Sequence, residues 1–442
     1  MTPSTLPKHT KEAISNWFCK LLKDWYNIDA KIDCKEKLYT ISINNNSVEI
    51  EVPVNELFYG VSESFGCAQF SDGCIELPMP AIDVSPNTYL DYFPDDKIVC
   101  RYDFIGLAYW CLHRVEELLT SAPKDAHGRF KATGSHAYKF EYLDLPIVDM
   151  HLDYVISKVC EKANFDIKCV LKHKKMLSHD VDFPSRYLYC DLFVFARRTL
   201  IDIFKQRKLS ILINAISSRF ISSEEISVKD PYNTFDYLYE LANKYGYEST
   251  LFFMTGVSNR KYDGGYSVDD SRILKLISEA KANKVEIGIH PSFESYLCQK
   301  TIQREIDTLK RVLDTSNVPS RMHFLKWNQE ITPDILDSCG VTYDSTLGYA
   351  DSIGFRASTC RPYKFLRYDD GELSNMTLIP LLVMDKTLTD KKYSEISKYN
   401  NLESVKKIKA MVKEHSGVFS LLWHNSSLVI DEDRKLLELI VK

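Results

Sequence analysis

The chain has 442 residues, of which 45% are hydrophobic and 26% charged, the balance of a soluble globular protein large enough for two or three domains. That composition excludes a wholly disordered, collagenous or membrane-embedded chain. Fifty-six Lys+Arg against 61 Asp+Glu leave a formal net charge of −5, so no global field favours nucleic acid. The twelve cysteines include no C-x-x-C pair, which removes zinc-knuckle and thioredoxin-like readings and leaves reduced thiols. The first residues, MTPSTLPKHTKEAIS, lack the apolar core of a secretory signal, and a cytoplasmic protein is expected.

Residues 11–28 place Ile14, Phe18, Leu21, Leu22 and Trp25 on one helical face, and KLYTISINNNSVEIEV alternates about an Asn-rich turn as a hairpin does. A second helix is expected over 104–119. The texture changes near 160–175, so the chain divides into an α+β domain over 1–170 and a second domain over 171–442. In the second, short apolar strands are expected at 176–182, 249–256, 285–291, 321–327, 341–349, 378–385 and 418–424. Amphipathic stretches such as TFDYLYELANKYG, SRILKLISEAKANK, TIQREIDTLKRVL and LESVKKIKAMVKEH fall between several of them, which is the pattern of β/α units around a parallel sheet. Residues 186–230 interrupt it. They hold a basic amphipathic stretch over 191–220 that suits a membrane surface, a lid, or a helical pair packed on the barrel.

Ionisable residues gather at the ends of these strands, the rim on which a β/α barrel assembles its site. In SHDVD, Asp180 and Asp182 share one face of an extended chain and His179 takes the other, as a structural histidine. His290 closes VEIGIHP, His424 closes VFSLLWH, Asp344 ends a further strand, and Arg321 and His323 share a face in RMHFLKW. An acid pair with two strand-end histidines suits a mononuclear metal hydrolase that keeps one coordination position open. G-x-S-x-G, G-x-G-x-x-G and the phosphate-loop motif are all absent.

The ordered segments HDVD, GIHPSF, RMHF, YDSTLGY and LLWH resemble the polysaccharide deacetylases of carbohydrate esterase family 4. Residues 90–150, with HRVEELL, DAHGRF and LPIVD, resemble a module that precedes such domains in bacterial surface-polysaccharide proteins. The resemblance implies an α/β fold, a distorted incomplete β/α barrel preceded by a smaller α+β domain. It also implies a divalent metal, zinc foremost, and a hydrolase acting on a non-peptide carbon–nitrogen bond. By the same resemblance Asp180 is the catalytic base, Asp182 and His290 are metal ligands, and His424 is the general acid. Arg321 orients the base and Asp344 supports the catalytic histidine. Two departures matter. Val181 separates the two aspartates, so their roles could be exchanged; and Glu294 stands where the family repeats a histidine, so the third ligand is expected to be His323, with Glu294 the alternative.

The function implied is N-deacetylation of an N-acetylated sugar in surface-glycan biosynthesis, on a nucleotide sugar, lipid-linked sugar or glycan. Removal of a formyl group from a formamido sugar, and a non-catalytic glycan-binding or assembly protein, are the competing readings.

Overall fold

The computed structural model describes residues 9–442 except 44–47, 61–65, 74, 82–87, 95–96, 120 and 222–223. Its first element is the helix Lys11–Tyr26, started by Thr10, whose hydroxyl accepts from Ala13 N, and stopped by Asn27 in the left-handed region. The buried face is Ile14, Trp17, Phe18, Leu21, Leu22 and Trp25, the stripe expected from spacing with Trp17 added. Strands β1 (Ala30–Lys35), β2 (Leu38–Ile43) and β3 (Val48–Pro53) follow as antiparallel neighbours, with Ile43 opposite Val48; the Asn-rich turn between β2 and β3 lies outside the described residues. β4 (Gly66–Ser71) and β5 (Glu76–Ala81) form a separate two-stranded antiparallel ribbon among the described residues. β6 (Leu90–Tyr92) and β7 (Lys97–Cys100) complete a five-stranded sheet of order β1-β2-β3-β7-β6.

The second sheet is wholly parallel. It comprises β8 (Lys174–Val181), β9 (Glu248–Phe253), β10 (Glu286–Ile289), β11 (Val318–Ser320), β12 (Val341–Asp344), β13 (Thr377–Leu378), β14 (Val383–Met384) and β15 (Val418–Leu422), in the order β13-β12-β11-β10-β9-β8-β15-β14. Connectivity shows that it curls. Laid flat, its edge strands would stand about 34 Å apart, seven spacings of about 4.8 Å. Yet the edges β13 and β14 are successive in the chain, and the five steps from Leu378 to Val383 reach at most about 18 Å. The result is a curled, eight-stranded parallel half-barrel beside a smaller β-rich part, and one contiguous hydrophobic core runs through both, from Ile14 to Val441.

Four expected elements are shorter than their patterns suggest. The stretch 378–385 is two strands on opposite edges rather than one, because Pro380 has no N–H to give a ladder and the chain crosses the open side there. The strand expected over 321–327 ends at Ser320; Phe324 and Leu325 then take positive φ (59° and 54°), which no alternation of apolar residues reveals. That over 341–349 ends at Asp344, whose carboxylate accepts from Thr346 N (2.8 Å) and turns the chain. The helix expected over 104–119 stops at Leu112, and Arg114 takes φ 50° before a short 3-10 turn.

That break builds a buried ion network. The Arg114 Nε donates to Glu117 (2.8 Å), and Arg356 from the parallel-sheet half donates to the same carboxylate through Nε (2.9 Å) and Nη2 (2.6 Å). Burial would raise the Glu117 carboxyl, but the two guanidinium groups outweigh it and hold it down at about 2. A depressed carboxyl stabilises the fold above its unfolded value and loses that contribution as pH falls through the folded one. Glu117→Gln is therefore expected to cost about 3–5 kcal/mol at neutral pH, leaving two buried cations short of a partner. Denaturant melts should show the gap between variant and parent narrowing as pH falls from about 4.5 toward 2.

Candidate metal centre

Because every strand of the half-barrel points the same way, residues at the strands' C-terminal ends arrive on one rim. Asp180 lies in β8 and Asp182 one residue beyond it, both on one face; His290 follows β10 directly. The Nε2 of His290 stands 3.2 Å from Asp182 Oδ1 and 3.7 Å from Asp180 Oδ2. His323 enters from the turn after β11, with Nδ1 2.9 Å from His290 Nε2 and 3.4 Å from Asp182 Oδ1. Asp182, His290 and His323 thus converge as a carboxylate and two imidazoles able to hold one ion.

The hydrogen bonds behind these groups select their tautomers. His290 Nδ1 donates to Arg321 O (2.6 Å), and His323 Nε2 donates to Tyr262 O (3.1 Å). In the neutral rings, the nitrogens that face each other carry lone pairs. Two lone pairs 2.9 Å apart beside a carboxylate call for a cation between them. Asp182 Oδ1 is also buried without a hydrogen-bond donor. The donor set fits a divalent transition ion.

Two further groups flank this trio. Arg321 is fully buried; its Nε and Nη2 donate to Ser345 O (2.9 Å) and Oγ (3.0 Å), and Nη1 faces Asp180 Oδ1 at 3.7 Å. His424, two residues past β15, has Nε2 3.7 Å from Asp182 Oδ2 while Nδ1 donates to Asp385 Oδ1 (2.8 Å). Burial lowers the His424 imidazole, yet Asp385 outweighs it and the group is pushed up to about 9.

The supporting carboxylate on His424 is therefore Asp385, where the sequence reading put Asp344. Asp344 instead accepts from Ser320 Oγ and from Thr346 N and Oγ1, bracing the segment around Arg321. No sequence signal marks Asp385 except its place at the close of LIPLLVMD. Glu294 lies away from the trio, its Oε1 accepting from Asn259 Nδ2 (2.8 Å) on the surface. The histidine on the other face of β8, His179, is buried and donates from Nδ1 to Trp423 O (2.6 Å).

The turn that carries His323 is held from the N-terminal half. Phe324 and Leu325 in left-handed conformation cost on the order of 1–2 kcal/mol each and need fixed contacts to persist. Arg129 supplies them: Nη1 donates to Phe324 O (3.0 Å), Nη2 to Tyr393 OH (2.9 Å), and Nε to Asp125 (2.7 Å). Lys326 Nζ also donates to His127 O (2.6 Å). Arg129, Phe324, Leu325 and Tyr393 wall a cleft of about 240 Å³ over Asp180, Asp182, His290, His323 and His424.

Residues 5–164 match a family described as a family of unknown function (DUF7033). No curated protein matches the chain. A solved structure described as a "putative polysaccharide deacetylase" from Mycobacterium smegmatis is 14% identical, with a TM-score of 0.34 over 61% of this chain and 84% of that one.

Competition against a chelating dye tests the trio. His323→Ala is expected to abolish tight zinc binding and Glu294→Ala to leave it unchanged. Arg129→Ala keeps every ligand but frees the turn, and is expected to weaken binding about 10- to 100-fold.

Proposed function

We propose that this protein is a metal-dependent hydrolase that removes an N-acyl group, acetyl first, from an amino sugar during assembly of a surface glycan. One observation carries the reading: a carboxylate–imidazole–imidazole trio lies beside a separate carboxylate, Asp180, and a separate imidazole, His424, that is oriented by Asp385. Asp182, His290 and His323 would hold the ion, zinc by the preference of such ligands. Bound there, it supplies Lewis acidity that polarises an amide carbonyl and acidifies water.

The chain's own groups divide the proton transfers. Asp180, faced by the Arg321 guanidinium, accepts the proton of the attacking water. His424 donates from Nε2 to the departing amine, while Asp385 on Nδ1 fixes the ring and stabilises its charged form. Phe324 and Tyr393 offer aromatic faces for a sugar ring, and Lys386 on the same wall favours a phosphate-bearing carrier. A site with both acid and base in place favours an enzyme over a binding protein.

Metal-loaded protein incubated with N-acyl nucleotide sugars and glycans should release acetate. Formate without acetate would select the deformylase reading, and neither acid would overturn both. Asp180→Asn and His424→Ala should each retain zinc and lose roughly 10²–10⁴ in turnover. Loss of zinc from Asp180→Asn with retention in Asp182→Asn would exchange the two aspartates.

A further inference from the structure

The insertion after β8 forms a helical hairpin, Leu192–Gln206 and Ser210–Ile216, continued by a turn over Ser217–Ile221. Its polarity is inverted. On the first helix the side turned to the protein carries Thr199 and Asp202, both buried, with Asp202 gripping Arg186 and accepting from Tyr187 OH (2.9 Å). The outward side carries Leu192, Phe193, Leu200, Ile201 and Phe204, with Phe193 and Phe204 each 78% exposed. The second helix and its turn bury Ile211 and Ala215 but still turn Leu209, Leu212, Ile213, Ile216 and Phe220 outward. Eleven of the twenty-five exposed large apolar side chains among the described residues lie between Leu192 and Ile221, so this is a patch and not the ordinary scatter of a soluble surface.

Charge indicates what covers it. Over 192–221 the sequence carries Arg197, Arg198, Lys205, Arg207, Lys208 and Arg219 against one carboxylate, the buried and paired Asp202. Arg197, Arg207 and Lys208 are exposed. A second copy of this basic patch would set like charges against one another, whereas anionic lipid headgroups complement them while acyl chains receive the phenylalanines and leucines. No helix of the described residues is long and apolar enough to cross a membrane, so the contact is with the surface. The hairpin is also fixed in place: Arg219 donates to Leu188 O (3.1 Å) and Cys190 O (2.9 Å), on the segment that leaves Asp182, and the Phe195 and Phe220 rings meet edge to face at 5.8 Å.

We propose that the hairpin over 192–221 is a docking site for an anionic membrane surface, lying flat with its apolar faces in the headgroup layer. This does not depend on the hydrolase reading. The full chain should co-sediment with phosphatidylcholine vesicles containing phosphatidylglycerol, and about tenfold less with phosphatidylcholine alone. Phe204→Glu with Ile213→Glu should abolish binding and keep the parent's circular dichroism and melting temperature; Leu439→Glu, exposed on another helix, should change nothing. Should the double variant fail to fold, Arg197→Ser with Arg207→Ser and Lys208→Ser removes the charge alone and is expected to lose the preference for anionic vesicles. Absence of vesicle binding, binding indifferent to anionic lipid, binding undiminished in the variants, or a parent dimer that the variants dissociate in sedimentation equilibrium without any vesicle binding would each overturn the proposal.

Discussion

His290 and His323 face each other across 2.9 Å with their remote nitrogens already committed to backbone carbonyls, and Asp182 closes the third side. Without a cation that triangle is a buried concentration of lone pairs, which is costly in a low-dielectric interior. Much of the surrounding structure serves to keep it together. The parallel direction of eight strands brings β8, β10, β11 and β15 to one rim, and the crossing from β13 to β14 curls the sheet so that residues from non-adjacent strands meet.

The N-terminal half contributes directly. Arg129 bonds the carbonyl of Phe324 while the backbone there is left-handed, so the ligand turn is assembled by contacts across the molecule and not by its own sequence. The Glu117–Arg356 pair ties the same halves together at a second, buried point. The division into a first domain over 1–170 and a barrel beyond it remains a proposal. Side-chain contacts nevertheless make the two parts interdependent at the cleft.

Much of the site was legible because strand ends are legible: an apolar run that stops at a charged residue marks the rim, and Asp180, Asp182, His290 and His424 all follow that rule. Period-two alternation placed both aspartates on one face, and both lie within 4 Å of His290. His323 was reached by an argument the fold does not use, since it sits on a turn rather than a strand. Asp385 was missed because LIPLLVMD reads as one strand, which conceals that Pro380 sends its two ends to opposite edges. Backbone reversals such as those at Arg114 and Phe324 leave no periodic trace, as each depends on a partner far along the chain.

The central claim is that one divalent ion binds between Asp182, His290 and His323. Anomalous diffraction at the zinc edge, from crystals grown with zinc, measures this directly. The account predicts a single strong peak at about 2.0–2.2 Å from an Asp182 carboxylate oxygen, His290 Nε2 and His323 Nδ1. A peak that leaves His323 out, a peak at Glu294, or no peak in the cleft would contradict it.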